Sequence, residues 1–392
     1  MAEAVIHFAG SGLKVQPPLS LYIHLPWCVK KCPYCDFNSH AAQGIPEAAY
    51  IDALLLDLER ALPDIWGRRV QTVFFGGGTP SLFSAEGIDR ILTGVRTLTQ
   101  LAPGAEITLE ANPGTVEADK FAGFREAGVT RVSLGIQSFN PRHLKALGRI
   151  HDDAEARRAA ELAATHFDTF NLDLMYALPG QTLAEALADL DTALTFRPPH
   201  LSAYHLTLEP NTPFGHTAPP KLPDDDLAAD MQLAIEARLA EAGMQHYETS
   251  AYAQPHHASR HNLNYWQFGD YLGIGAGAHS KLSFHDRILR QMRTKHPQQY
   301  MDAVAQGAHI ADTRMLTRAD LPFEFMMNAL RLNEGVPAAL FDERTGLPLI
   351  VCASTLERAR SQGLLERGPT RLKPTQHGQR FLNDLLELFL PD

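Results

Sequence analysis

Between residues 19 and about 210, six short apolar runs alternate with five amphipathic stretches. The apolar runs are Leu19–Leu25, Val70–Gly76, Glu106–Asn112, Arg131–Ser138, Thr169–Leu178 and His200–Leu208. The stretches between them, Pro46–Leu62, Ala85–Leu98, Val116–Ala127, Asp153–Thr165 and Leu183–Leu194, repeat apolar residues at helical spacing. In the first, Tyr50, Leu54, Leu58 and Leu62 fall on one face. Strands alternating with helices are joined by right-handed crossovers and lie parallel. Short, mostly apolar strands of this kind are covered on both faces. A partial barrel and an open doubly wound sheet both satisfy the pattern.

The residues that break the apolar pattern fall at the carboxyl ends of these strands. Cys28, Cys32 and Cys35 follow the first, and Gly76-Gly77-Gly78-Thr79-Pro80 follows the second. Glu110-Ala-Asn112-Pro113-Gly114 ends the third, and Gly135-Ile-Gln137-Ser138-Phe139 ends the fourth. Asp173 lies in the fifth, before Leu178-Pro179-Gly180. That edge is where barrels and open α/β sheets bind ligands.

The cysteine spacing, Cys-x₃-Cys-x₂-Cys, brings three thiolates within one short loop. Thiolates are the usual protein ligands of iron–sulfur clusters. Three of them hold three irons of a four-iron cluster and leave the fourth iron open to a small molecule. The remaining cysteine, Cys352, is far away in sequence. A zinc site completed by His24 or His40 is the structural alternative, although zinc sites more often pair C-x₂-C with a distant second pair. Four cysteines and no cationic leader before an apolar segment in Met1–Gln16 read as a reducing, cytoplasmic setting.

The glycine triplet allows close backbone approach. It is neither a P-loop nor GxGxxG, which argues against nucleotide phosphate binding. Net charge is −10, from 35 basic and 45 acidic residues, and it argues against nucleic acid as a partner. No apolar run is long enough to span a membrane, which leaves peripheral contact open.

Residues 221–243 read as a helix with an acidic start at Asp224-Asp225-Asp226, and Tyr247 to Lys281 as irregular. Beyond residue 297 the pattern changes to helices over Pro322–Leu332, Pro337–Arg344, Ser354–Gln362 and Gln376–Leu390. A short hairpin at Leu364–Lys373 sits before the last of them. This predicts a domain over 1–296 and a small winged-helix-like domain over 297–392.

Cys28-x₃-Cys32-x-Tyr34-Cys35 followed by the glycine triplet resembles the radical S-adenosylmethionine superfamily. Further matches are Tyr22-Ile-His24-Leu-Pro26-Trp27-Cys28, Gly135–Phe139, Gly148-Arg149-Ile150 and Asn171-Leu-Asp173-Leu-Met175-Tyr176-Ala-Leu-Pro179-Gly180. These resemble the oxygen-independent coproporphyrinogen III oxidase-like group over nearly the whole chain. Two features are similar to its haem-chaperone branch. Phe37 stands where the oxidase proper has a further cysteine, and His261-Asn-Leu-Asn-Tyr-Trp266 matches His-Asn-x-x-Tyr-Trp.

The resemblance implies a partial (β/α)6 TIM-like barrel and three cofactors or cargoes: a 4Fe-4S cluster, S-adenosylmethionine and haem. Cys28, Cys32 and Cys35 would ligate the cluster. Gly77, Gly78 and Thr79 would meet the methionine amine and carboxylate of S-adenosylmethionine. Tyr22, Glu110, Gln137, Arg149 and Asp173 would surround the rest of it. His261 is the candidate haem-binding residue, since imidazole is a common axial ligand, with Tyr265 and Trp266 placed to stack on the porphyrin. The alternative is a packed segment with a capped histidine, and His256 and His257 lie close by. His279 falls in a glycine-rich segment that would close the cofactor pocket. The implied function is a haem chaperone that delivers haem to a haem-requiring acceptor, a respiratory protein being one candidate. The competing function is radical decarboxylation of porphyrinogen propionates. A homodimer is left open.

Overall fold

The computed structural model describes residues 12–13, 15–41, 44–115 and 118–391. Most of the Met1–Gln16 segment, and Val116 with Glu117 at the start of the third expected helix, lie outside the described residues.

Twelve strands form one open sheet. In chain order they are β1 (Leu19–Leu25), β2 (Arg69–Gly77), β3 (Gln100–Ala111), β4 (Arg131–Gln137), β5 (Thr169–Tyr176) and β6 (His200–His205). These are followed by β7 (Gln245–Glu248), β8 (Ala251–Ala253), β9 (Asp270–Ile274), β10 (His279–Ser283), β11 (Ile288–Arg293) and β12 (Ile310–Met315). Strands β1 to β6 are consecutive neighbours and parallel. Strand β9 adds a seventh parallel strand beside β1. Antiparallel strands extend both edges, β8 and β7 beyond β6, and β10 to β12 beyond β9. The parallel run is the partial barrel expected, left open rather than closed on itself.

Helices Glu47–Ile65, Ala85–Leu98, Ala118–Ala127, Asp153–His166 and Leu183–Thr195 cover the outer face. Four begin with side-chain logic or dipole logic visible in the sequence. Ser84 and the capping boxes Asp152/Glu155 and Thr182/Glu185 satisfy free amides, and Glu47 places an acid in the first turn. Alternate strand residues (Leu21, Ile23, Val73, Phe75, Leu109, Val132, Leu134, Leu172) pack with these helices in one core.

The stretch read as irregular, Tyr247 to Lys281, instead carries β8, β9 and the helix Arg260–Trp266. These strands are three to five residues long, too short for a periodic signal. The expected boundary at 296/297 falls inside the first unit. Helix Pro297–Gln306 packs through Tyr300 and Val304 on the main core, and β12 is the sheet's edge. We place the start of the second unit near Leu316, where a separate core begins that includes Phe325, Phe341, Leu356, Leu372 and Leu385. Its helices Asp320–Ala329, Ala339–Thr345 and Ala353–Ser361 precede a hairpin. Glu366 N–H donates to Lys373 O at 2.9 Å across that hairpin, and Arg371–Leu372 pairs with Val336–Pro337. The last expected helix is broken at Phe381 into Gln376–Arg380 and Leu382–Glu387.

Candidate functional site

Partly accessible positions interrupt the otherwise buried central strands, and those nearest the strands' carboxyl ends are in register with one another. Tyr22 pairs in register with Phe74, Glu110 with Ser133, and Gly135 with Asp173. The helix Arg260–Trp266 packs against one face of these strands near Phe74, and the polar residues lie toward the strands' carboxyl ends.

The cysteine loop follows β1 at that end of the sheet. Its entry and exit are joined, because Trp27–Cys28 pairs with His40–Ala41 and His40 N–H donates to Pro26 O at 2.7 Å. All three thiols are free and half-buried. Burial raises the Cys28 and Cys35 thiols above their ordinary values. Thr79 Oγ1 donates to Cys28 Sγ at 3.5 Å, and Arg149 donates to Cys32 Sγ at 3.7 Å. Among the described residues no three of His, Cys, Asp or Glu converge on a single-ion position. The zinc reading also loses His24. That ring is buried, with Nδ1 against Tyr22 Oη at 3.1 Å and Nε2 against Asn38 O at 2.8 Å, and burial lowers it to about 4. Three thiols on one loop, each able to take a separate corner, fit an iron–sulfur cluster better than one tetrahedral ion.

The glycine turn is sewn to this loop. Gly78 N–H donates to Leu25 O at 2.8 Å and Thr79 N–H to Trp27 O at 2.7 Å. Gly77 N–H donates to Glu110 Oε2 at 3.3 Å. These three amides are therefore spent within the protein. A Cβ on Gly77 would stand 2.4 Å from His24, and one on Gly78 2.5 Å from Trp27 O. Gly77 also has φ +114°. The triplet is required first by the chain's own packing, not only by the approach of a ligand, as the sequence suggested.

Glu110 is pushed up to about 8, by burial first and then by the Asp173 charge, against the pull of the Gly77 amide. Burial likewise raises Asp173. Asn171 Nδ2 at 2.7 Å and Ser133 Oγ at 3.1 Å hold its two oxygens. Gln137 ends β4 with φ +67°, which turns its chain away from strand geometry at the rim. Arg149 donates to Gly135 O at 2.6 Å, while its buried Nε has no partner. The site thus offers carboxylates that would gain from a cation and a guanidinium N–H that lacks an acceptor. A ligand carrying an ammonium and a carboxylate answers both.

Contacts and register link these residues to the cysteine loop: Thr79 to Cys28, Arg149 to Cys32 and Gly135, Glu110 to Gly77, Tyr22 to His24, Gln137 beside Gly135, and Asp173 in register with Gly135. His261 does not join them at the surface. It is 1 % exposed on the helix Arg260–Trp266, with Nδ1 at 2.8 Å from Thr72 Oγ1 and Nε2 at 2.9 Å from Tyr265 Oη. Its backbone N–H donates to Glu106 at 3.0 Å, and its ring lies against Phe74. Asn264 donates to Ser20 Oγ and Asp270 O, and Trp266 lies under the Arg331 guanidinium of the second unit. The motif is a plug inside the sheet that also meets the C-terminal unit. In this arrangement both ring nitrogens of His261 are engaged within the protein. Sequence reasoning missed the supports Ser133 and Asn171, and also Asn38, because a serine or asparagine carries no signal until its partner is known.

Comparison with known proteins identifies the family. The Radical SAM superfamily signature matches residues 22–193, and the HemN C-terminal domain matches 316–381. The Heme chaperone HemW of Escherichia coli is 53% identical over 96% of this chain and 99% of its own length. That of Haemophilus influenzae is 50% identical, again over 96% of this chain and 99% of its own length. The crystal structure of the coproporphyrinogen III oxidase HemN from Escherichia coli has a TM-score of 0.81 at 24% identity, over 95% of this chain and 90% of that one. At that identity it speaks for the fold alone.

Proposed function

The chain belongs to the HemW family of the radical SAM superfamily, and from that membership we propose that it is a haem chaperone. Radical SAM membership implies a 4Fe-4S cluster and S-adenosylmethionine. Cys28, Cys32 and Cys35 would hold the cluster, and the bound cluster would supply one-electron chemistry toward the sulfonium. Glu110 receives the methionine ammonium, Arg149 Nε the carboxylate, and Asp173, braced by Asn171 and Ser133, the ribose.

Haem is the cargo, and a haem-requiring acceptor, with a respiratory protein as the first candidate, is the recipient. One observation carries this reading. The chain is 53% identical to a haem chaperone over 96% of its length, and Phe37, 60 % exposed, stands two residues after Cys35. No described helix is long and apolar enough to cross a membrane, so contact with a membrane-bound acceptor would be peripheral.

The test is anaerobic reconstitution followed by haem titration and a coproporphyrinogen turnover assay on one sample. Saturable haem binding with a Soret shift, and no propionate decarboxylation, is the expected result. S-adenosylmethionine-dependent conversion of coproporphyrinogen to protoporphyrinogen would overturn the chaperone reading in favour of the oxidase.

A further inference from the structure

The Asp173 carboxylate ends a chain of buried hydrogen bonds that runs across β5, β6 and β7. Asn171, two residues earlier on β5, donates from its amide nitrogen to Asp173 Oδ1 at 2.7 Å and to Ser133 Oγ of β4 at 2.8 Å. Its oxygen meets His200 Nδ1 at 2.6 Å and accepts from Ser202 Oγ at 3.1 Å, both on β6. His200 Nε2 lies 2.8 Å from Tyr247 Oη of β7, and that hydroxyl accepts from Ser259 N–H at 3.3 Å. Strand register sets His200 opposite Asn171 and Ser202 opposite Asp173. The second unit clamps the far end. Asn333 N–H donates to Tyr247 O at 3.1 Å, and Asn333 Nδ2 to His246 O at 3.0 Å.

The protons of this chain follow from its acceptors. An amide oxygen only accepts, so His200 Nδ1 carries the ring hydrogen and Nε2 accepts from the Tyr247 hydroxyl. The ring is 1 % exposed, and burial with the Arg131 charge holds it well below its ordinary value, so it stays neutral with one donor and one acceptor. Both hydrogens and both lone pairs of the Asn171 amide are then used. A flipped amide would set its oxygen against Asp173 and its N–H against His200 N–H. His200 therefore decides which end of Asn171 faces the carboxylate. Polar side chains inside a sheet carry a desolvation cost that apolar ones avoid. What this chain delivers is a carboxylate held from behind, by Asn171 on one oxygen and Ser133 on the other.

We propose that His200 is a positioning residue for S-adenosylmethionine: its Nδ1–H orients Asn171, and Asn171 aims Asp173 at the ribose hydroxyls. The inference rests on the reading of Asp173 as the ribose contact. His200 acts only through Asn171, and the Tyr247 hydroxyl keeps it in the tautomer that Asn171 needs.

The test uses the reconstituted full-length protein as wild type, His200→Gln, His200→Asn and Asp173→Ala. An asparagine amide places its N–H where Nδ1 stands and still reaches Asn171. A glutamine amide extends to where Nε2 stands and reaches Tyr247 instead. S-adenosylmethionine affinity is read by equilibrium dialysis, together with the change the cofactor makes in the electron paramagnetic resonance of the reduced cluster, non-haem iron and the melting midpoint. His200→Gln should bind the cofactor roughly tenfold or more weakly, the effect of removing an outer hydrogen-bond partner from a binding group, with non-haem iron unchanged. His200→Asn should recover most of that loss and of the spectral change, although both variants give up a buried hydrogen bond and melt earlier. Wild-type affinity in His200→Gln, or equal losses in the two variants, would overturn the positioning role while weakened binding by Asp173→Ala keeps the ribose reading. Undiminished binding by Asp173→Ala would overturn the ribose reading and the role of His200 with it.

Discussion

Replacing His261 by alanine separates holding the fold from holding the cargo. Thr72 Oγ1 donates to Ser20 Oγ at 2.8 Å, so its remaining capacity is to accept, and His261 Nδ1 is the donor. His261 Nε2 then accepts from Tyr265 Oη. Burial lowers the ring to about 3, so it stays neutral under ordinary conditions. Truncation strips Thr72 of a donor and Tyr265 of an acceptor, both inside the sheet. An unsatisfied buried polar group costs about 1–3 kcal/mol, and the space left against Phe74 adds a cavity term. The sum is ~3 kcal/mol or more, which lowers the unfolding midpoint of a chain this size by ~4 °C. Thermal unfolding of the cluster-free protein reads this directly, with haem titration well below the midpoint alongside. The variant should unfold earlier and, while folded, bind haem with the wild-type spectrum. An unchanged midpoint together with a lost haem spectrum would refute the reasoning, because it would mean that His261 leaves the plug to ligate iron.

Glu110, raised to about 8 by burial and Asp173, is protonated in the empty site at pH 7. An arriving ammonium favours the carboxylate, so S-adenosylmethionine binding should release a proton and tighten as pH rises from 6 to 8. Calorimetry in buffers of different ionisation enthalpy checks this, and Glu110→Gln should abolish the slope. The same sign means that the apo fold loses stability through Glu110 as pH climbs from its unfolded value near 4.5 to about 8. Gly77→Ala should destabilise the apo protein, since φ +114° and the contact with His24 penalise any Cβ. An unchanged melting curve with weakened cofactor binding would restore a role confined to the ligand. Cys28→Ser, Cys32→Ser and Cys35→Ser should each lose the non-haem iron, about four per chain in the reconstituted wild type. Cys352→Ser should keep it, because that thiol is 3 % exposed in the core of the second unit.

The strands that carry the site were legible because each is a short, mostly apolar run between amphipathic stretches. Leu19–Leu25 is read to the residue, and β4 and β5 differ only at their carboxyl ends. Strand β3 begins six residues earlier than read, because Pro103 and Gly104, the latter at φ +69°, bulge between the paired stretches at Gln100–Leu101 and Glu106–Leu109 and break the apolar run. The three thiols and the rim residues were visible as polar interruptions at one end of the strands. What the sequence could not show was orientation. His261 looks like a ligand in a row of aromatics, and only the pairing with Thr72 and Tyr265 turns it inward. His279 lay in a glycine-rich run read as closing the pocket, and the packing of Gly277 on Asn38 there joins segments far apart in sequence.

Transfer of haem is the most direct test of a chaperone. The reconstituted protein is loaded with one equivalent of haem, freed of excess, and mixed with an apo haem protein whose Soret band differs from its own. The donor spectrum should decay as the acceptor's grows, with the acceptor gaining the activity that its haem confers. Haem retained by the donor, or an acceptor filled no better than by the same amount of free haem, would contradict delivery as the function of this chain.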